Sequence, residues 1–265
     1  MPTHRLDEIP TAVQDAVESV TGPVLKVDML SAGFNSEIAA RLHTPDGTVF
    51  VKGLRSDHPR AWTQDREAAV NPYVRPIAPS LLWHIREEGW NLLGFEDIDA
   101  PHADYNPGSP HLPLVVEALH RLSNIAAPRI PLRTMSQRMQ SYVDDETALE
   151  LFDGDRLLHT DWNTTNVLIA QDARMVDWAW ASRGAGWIDP ALWVIWLIAG
   201  GHTPAQAESW AGRTTAWQVA PTRGVDAFAQ AQRNLWDEIA GAAPDDWTSR
   251  MQRAACQWAV HRHRR

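Results

Sequence analysis

The chain has 265 residues, 44% of them hydrophobic and 22% charged, with a formal net charge of −9. That length supplies ample core for one large or two small domains, and the acidic balance argues against a general nucleic-acid binder. A single cysteine, Cys256, excludes an internal disulfide and a cysteine-based metal site, and suits a reducing cytoplasm. The stretch Met1 to Glu8 lacks the apolar core of a signal peptide. The longest apolar run, Ala191 to Gly201, is too short to span a bilayer and reads as a buried helix. The expectation is a cytoplasmic protein with no membrane partner, as a monomer or homodimer.

Leu6, Ile9, Val13 and Val17 have helical spacing, and Gly22-Pro23 closes that segment. Val24 to Leu30 reads as a strand and Ser31 to Ser36 as a turn-rich stretch. Ile38, Ala40 and Leu42 then alternate as in a second strand. Thr44-Pro45-Asp46-Gly47 has turn chemistry: proline presets φ, aspartate caps locally and glycine admits positive φ. Thr48 to Lys52 is a third strand. A helix-like segment from Ala61 is expected to end at Pro72. Leu81 to Ile85 and Trp90 to Phe95 flank Glu87-Glu88-Gly89 as the arms of a hairpin. Residues 1–97 therefore predict a first domain: a five-stranded antiparallel sheet with one inserted helix.

Residues 98–265 predict a mainly helical second domain. A loop rich in Pro, Gly, His and Asp occupies 99–113, and Leu114, Val115, Ala118, Leu119 and Leu122 then share one helical face. Two prolines break the stretch from Ala126 to Pro131. A polar segment follows between short strands, and helices run to the end. There His261 to Arg265 reads as a frayed helix terminus whose cations suit the dipole. The fourteen tryptophans read mostly as core and surface filler.

The polar segment holds the densest chemical signal. His159-Thr160-Asp161 is followed by Asn166, then by apolar Val167-Leu168-Ile169, then by Asp177 in Met175-Val176-Asp177-Trp178. Phosphoryl transfer on a kinase-like scaffold needs this set: one carboxylate to accept the acceptor hydroxyl's proton, an Asn and a second carboxylate to hold Mg²⁺ on the nucleotide phosphates. The bland alternative is a polar loop between two strands. The pattern resembles the His-x-Asp-x-x-x-x-Asn … Asp motif of the aminoglycoside phosphotransferase family, relatives of the protein kinases. Asp177-Trp178 leans toward that family, because protein kinases usually carry Asp-Phe-Gly there. The resemblance runs from about Leu30 to Ala199. It departs from the family at Thr160, where the signature has Gly, which costs backbone freedom but removes no functional group.

The resemblance implies an α+β, two-lobed protein-kinase-like fold, with a nucleotide-binding lobe over 1–97 and a catalytic, acceptor-binding lobe over 98–265. It implies Mg²⁺ and ATP as cofactors, with GTP not decided. Asp161 would be the catalytic base, and Asn166 and Asp177 the metal ligands. Lys52 on the third strand would contact phosphate, with Glu67 paired to it. The stretch Ser31 to Ser36 would cover the phosphates through its N–H groups and through Ser36 or Asn35. It has one glycine, Gly33, so neither the kinase Gly-rich pattern nor a Walker A sequence is present. Main-chain groups near Gly94 and Phe95 would meet the base edge, with Glu96-Asp97 as the acidic pair beyond. His159 would brace the loop. Asp189 would anchor it, although an ordinary N-cap followed by proline explains Asp189 equally well.

The acceptor would be a small-molecule hydroxyl, on an aminoglycoside or another antibiotic. The acidic run Asp144, Asp145, Glu146, Glu150, Asp153 and Asp155 could meet ammonium groups, but reads more readily as a solvated face. Three alternatives stand beside this reading. One is a kinase of another metabolite. Another is a peptide kinase, for which the segment Trp178 to Ile188 is short. The third is a kinase-like binding protein without turnover, against which Lys52, Asp161, Asn166 and Asp177 are all present.

Overall fold

The computed structural model describes residues 4–30 and 36–264. The chain divides into two compact units, Met1–Ala100 with Met175–Ala179, and Pro101–Arg174 with Trp180–Arg265. One is built on an antiparallel sheet and the other is mainly helical, the α+β class expected from the sequence.

The first unit comprises α1 (Thr11–Thr21), β1 (Lys26–Met29), β2 (Ile38–Thr44), β3 (Gly47–Arg55), α2 (Trp62–Val74), β4 (Leu81–Glu87) and β5 (Trp90–Glu96). The strands pair antiparallel in the order β1-β2-β3-β5-β4. Thr44 opposes Gly47, which leaves Pro45-Asp46 as a two-residue loop. The β4–β5 connection turns through Glu88 and Gly89 at φ 46° and 77°, and two consecutive positive φ angles suit the twist of the flanking strands.

The period of two along each strand then sorts residues by face. Leu42, Val49, Val51, Trp90 and Leu92 pack with Leu6, Ile9, Val13 and Val17 in one apolar core. Fully burying each valine or leucine there contributes about 1.5–3 kcal/mol. Lys52, Leu93 and Phe95 lie on the opposite face, since Lys52 pairs with Leu93 and Phe50 with Phe95.

The helix α2 does not stop at Pro72, as its sequence suggests, but runs on to Val74. Proline there removes one N–H and crowds the carbonyl four residues back, so the last turn needs support from outside the helix. Tertiary bonds hold the turn: the buried Asn71 side chain donates to Pro79 O at 2.8 Å and accepts from Leu81 N at 2.8 Å. Near the start of the helix, Asp65 takes Asn91 Nδ2 at 2.8 Å and Arg86 Nη2 at 2.7 Å. These anchors fix the rotation of α2 on the sheet. Its buried positions Thr63, Gln64, Glu67, Val70, Asn71 and Val74 follow helical spacing but are mostly polar.

The second unit holds α3 (Leu112–Ser123), α4 (Met135–Met139), β6 (Arg156–Leu158), β7 (Val167–Ile169) and β8 (Ala173–Met175), which leads back to the first unit. After it come β9 (Ser182–Gly184), α5 (Ile188–Ala199), α6 (Pro204–Ala211), α7 (Thr215–Gln218), α8 (Thr222–Ala240) and α9 (Asp246–His263). Strand β6 pairs with β9, and β7 with β8. The buried stripe of α3 is Leu112, Val115, Ala118, Leu119 and Leu122, so the helix begins earlier than its apolar run suggested. Burial extends around most of α5, which accounts for its unbroken apolar sequence.

The C-terminal end of α9 is not frayed. Arg262 is nearly buried and bonds Asp226 at 2.6 Å and Glu208 at 3.4 Å. Among the described residues, no helix is long and apolar enough to cross a membrane.

Candidate active site

Lys52 sits inside β3, between Ala39 of β2 and Leu93 of β5. Its side chain is 10% exposed, and its ammonium pairs with Glu67 of α2 and, at 3.2 Å, with Asp177 Oδ1. The Phe95 ring centroid lies 6.0 Å from the same nitrogen. Burial works against the charged lysine, but the Asp177 and Glu67 carboxylates outweigh it and hold Lys52 above its usual value. For Glu67, burial is the largest influence and pushes its carboxyl up, opposed by Lys52 and by the Trp178 main-chain N–H. Lys52 thus places a nearly buried cation between two carboxylates.

Asp177 belongs to this first unit although it lies far along the chain. Met175 N donates to Ile77 O at 2.7 Å, and the buried Trp178 indole donates to Met175 O at 3.1 Å. Between these ties Asp177 adopts φ 62°, a left-handed conformation that non-glycine residues seldom take and that Asp tolerates better than most.

In the second unit, the loop from β6 to β7 is organised from below by Asp189 of α5. This carboxylate is 1% exposed. Its Oδ2 accepts from His159 N at 2.9 Å, and its Oδ1 accepts from Thr160 N and Trp162 Nε1, each at 2.9 Å. Burial pushes its carboxyl above the ordinary value, against those three donors and His159. The helix cap is Trp187, so Asp189 serves as a loop anchor and not as an N-cap.

His159 is fully buried and braces the loop: its Nδ1 accepts from Asp161 N at 3.2 Å. Asp161 itself is half-buried, and its Oδ1 accepts from Asn163 N at 3.4 Å. Asn166 closes the turn by donating its Nδ2 to Asp161 O at 3.3 Å, which turns its amide oxygen away from that carbonyl.

The structure thus joins Lys52, Glu67 and Asp177 in one cluster, and Asp161 and Asn166 in one braced loop. Ser36 lies two residues before β2, half-buried, while the expected phosphate-covering residues 31–35, including Gly33 and Asn35, fall outside the described residues. Gly94 and Phe95 lie within β5, paired to β3 on one side and β4 on the other, so their main-chain groups belong to the ladder. Gly94 has a packing reason for its identity: a Cβ there would lie 2.1 Å from Trp83. Asp97 of the acidic pair accepts from Arg41 at 2.9 Å. The six residues of the acidic run are all exposed, as a solvated face requires. Asp145 pairs with Arg223 at 2.6 Å and Asp153 accepts from Ser136 at 2.7 Å.

No protein-family model matches the chain, and no curated protein matches it in sequence. Solved structures do match. Aminoglycoside phosphotransferase APH(4)-Ia superposes with a TM-score of 0.60 at 15% identity, over 93% of this chain and 98% of that one. Spectinomycin phosphotransferase APH(9)-Ia, solved with ADP and spectinomycin, gives 0.61 at 10% identity over 96% and 94%. Choline kinase LicA from Streptococcus pneumoniae gives 0.66 at 14% identity over 94% and 98%. At such identities the likeness establishes the fold, that of kinase-like phosphotransferases.

Proposed function

We propose that this protein transfers the γ-phosphoryl group of ATP to a hydroxyl of a small molecule, with an aminoglycoside or another hydroxylated antibiotic as the leading acceptor class. The observation that carries the reading is the buried Lys52 held protonated between Glu67 and Asp177, in a fold shared with phosphotransferases. A fold hosts many chemistries, so the side chains must support the assignment. Here they do: a sequestered ammonium is suited to phosphate oxygens, and the remaining groups are hard oxygen donors of the kind Mg²⁺ prefers.

In this reading Lys52 binds phosphate oxygens and Glu67 fixes its direction. Asp177 and Asn166 are the residues that would hold Mg²⁺, whose charge offsets the negative charge on the transferred group. Asp161 orients the acceptor hydroxyl and takes its proton. A carboxylate that orients the hydroxyl more than it strips it suits a loose transition state in which the proton leaves late. Ser36 is proposed to contact phosphate. The expected base-edge contact at Gly94 and Phe95 moves to the main chain past Glu96. Because the acidic run is exposed and partly engaged by Arg223 and Ser136, it lends little support to a specific aminoglycoside.

The test is incubation with ATP, Mg²⁺ and a panel of aminoglycosides, other hydroxylated antibiotics, amino alcohols and sugars, each read by mass. A gain of one phosphoryl group with wild type and none with Asp161→Ala supports the reading and names the acceptor. No gain on any compound, with ATP still bound, turns the assignment to peptides and other metabolites or to a binding role.

A further inference from the structure

The residue before Asp161 holds a conformation that its own side chain resists. Thr160 has φ 69°, in the left-handed region where a β-branched residue is rare. It is held there from two sides. Its main-chain N–H donates to Asp189 Oδ1 at 2.9 Å. Its Oγ1 donates to Trp180 O at 2.8 Å and accepts from Arg138 Nη1 at 2.6 Å. The same Nη1 lies 3.0 Å from Trp180 O and 2.9 Å from Ser182 Oγ, and that hydroxyl donates to Trp180 O at 3.0 Å. Arg138 also lies 5.9 Å from the Trp180 ring centroid. It enters from α4, whose first turn is set by a reciprocal Thr134–Gln137 cap. One guanidinium nitrogen therefore gathers a hydroxyl, a carbonyl and a second hydroxyl around the residue adjoining the candidate base.

We infer that Arg138 is a positioning residue for Asp161, acting through Thr160. By clasping the Thr160 hydroxyl against the Trp180 carbonyl, it holds the left-handed turn that directs the following residue. Glycine adopts such a φ unaided. Threonine resists it, and its hydroxyl supplies the handle by which a cation can enforce it. The loop geometry then depends on Arg138, a residue distant in the chain and outside the His159-to-Asn166 segment. This inference rests on the reading of Asp161 as the proton acceptor.

The test compares Arg138→Met, Thr160→Val, their double variant, Thr160→Ser and Asp161→Asn. The readouts are turnover with MgATP, taken as phosphate release and as transfer to the acceptor found by mass, and deuterium uptake by peptides covering 158–166. Arg138→Met and Thr160→Val are each expected to lower kcat about tenfold with the KM for ATP little changed, the scale of one lost hydrogen bond to a charged group. The double variant should be no worse than either single one, because both remove the same clasp. Thr160→Ser keeps the hydroxyl and should recover most of the turnover and the protection.

Wild-type turnover and uptake in both single variants, with Asp161→Asn inactive, would overturn the role of Arg138 and leave that of Asp161 standing. Raised uptake without any fall in kcat would likewise reduce the clasp to fold maintenance and overturn the inference. Full turnover in Asp161→Asn, or none in the wild type, would overturn the reading of the base and the inference with it.

Discussion

Replacing Asp189 gives the sharpest test of how the β6–β7 loop is held. The carboxylate is buried and accepts three N–H donors: the amides of His159 and Thr160 and the indole of Trp162. Alanine leaves all three donors without that acceptor. A buried donor left unsatisfied costs about 1–3 kcal/mol, so a simple sum is roughly 3–9 kcal/mol. Relaxation and entry of water lower this, and we expect about 3–5 kcal/mol, a large part of an ordinary domain's stability. Asparagine is the informative companion. Its oxygen can keep the Thr160 and Trp162 donors, while its NH₂ faces the His159 N–H, so one bond is lost and the cost is about 1–3 kcal/mol. Urea unfolding followed by tryptophan fluorescence, with thermal scans at about 2–4 °C per kcal/mol, measures both. Asp57→Ala, whose side chain is 76% exposed, serves as the control and should fall within about 0.5 kcal/mol of wild type. An alanine variant within about 1 kcal/mol of wild type, or an asparagine variant as damaged as alanine, would refute the anchoring account.

Four further outcomes follow from geometry elsewhere. Lys52→Met should cost about 3–5 kcal/mol by leaving buried Glu67 uncompensated, and the double change Lys52→Met with Glu67→Met should cost less than the single one, read by urea midpoints. Because the pKa of folded Lys52 is raised, its contribution is complete below the unfolded value of about 10.4 and fades as pH climbs through the folded value. Wild-type stability should therefore hold up to about pH 10.4 and decline above it, a limb that Lys52→Met lacks, measured between about pH 9 and pH 12. Gly94→Ala should destabilise by about 1–3 kcal/mol through its clash with Trp83, and Trp83→Leu should relieve part of that loss in a double variant. Glu88→Asn, at φ 46° in the β4–β5 turn, should stabilise by about 0.5 kcal/mol, visible as a raised melting temperature.

The hairpins were legible because turn chemistry is local: Pro45-Asp46-Gly47 and Glu88-Gly89 state their geometry within three residues. Val13 and Val17 were legible because their periodicity meets an apolar face, but the helix begins only at Thr11: Leu6 lies in a separate 3-10 turn and Ile9 and Pro10 are extended, so the four residues share the core without sharing a helix. The course of α2 past Pro72 was not, since what secures it is Asn71 reaching Pro79 and Leu81, bonds that no propensity encodes. Arg262 looked like a loose terminal charge because its partners Asp226 and Glu208 lie on other helices. In the site, the spacing of Asp161, Asn166 and Asp177 is a sequence signal, and family likeness pointed to Asp189. Arg138 had no signal at all: α4 has five residues, too few for a period, and an arginine among polar neighbours reads as solvent-facing. Only the distances to Thr160, Trp180 and Ser182 distinguish it.

The burial of Lys52 has a practical consequence. The sequence contains two lysines, Lys26 and Lys52, and the Lys26 side chain is 66% exposed. Isotope-labelled lysine would therefore yield a two-signal spectrum, one signal from a solvated strand and the other from the ion-paired cluster. Amine-directed reagents should modify Lys26 freely and reach Lys52 only when the cluster opens. The nucleotide binding proposed above could then be tested at a single native atom, with no tag and no substitution.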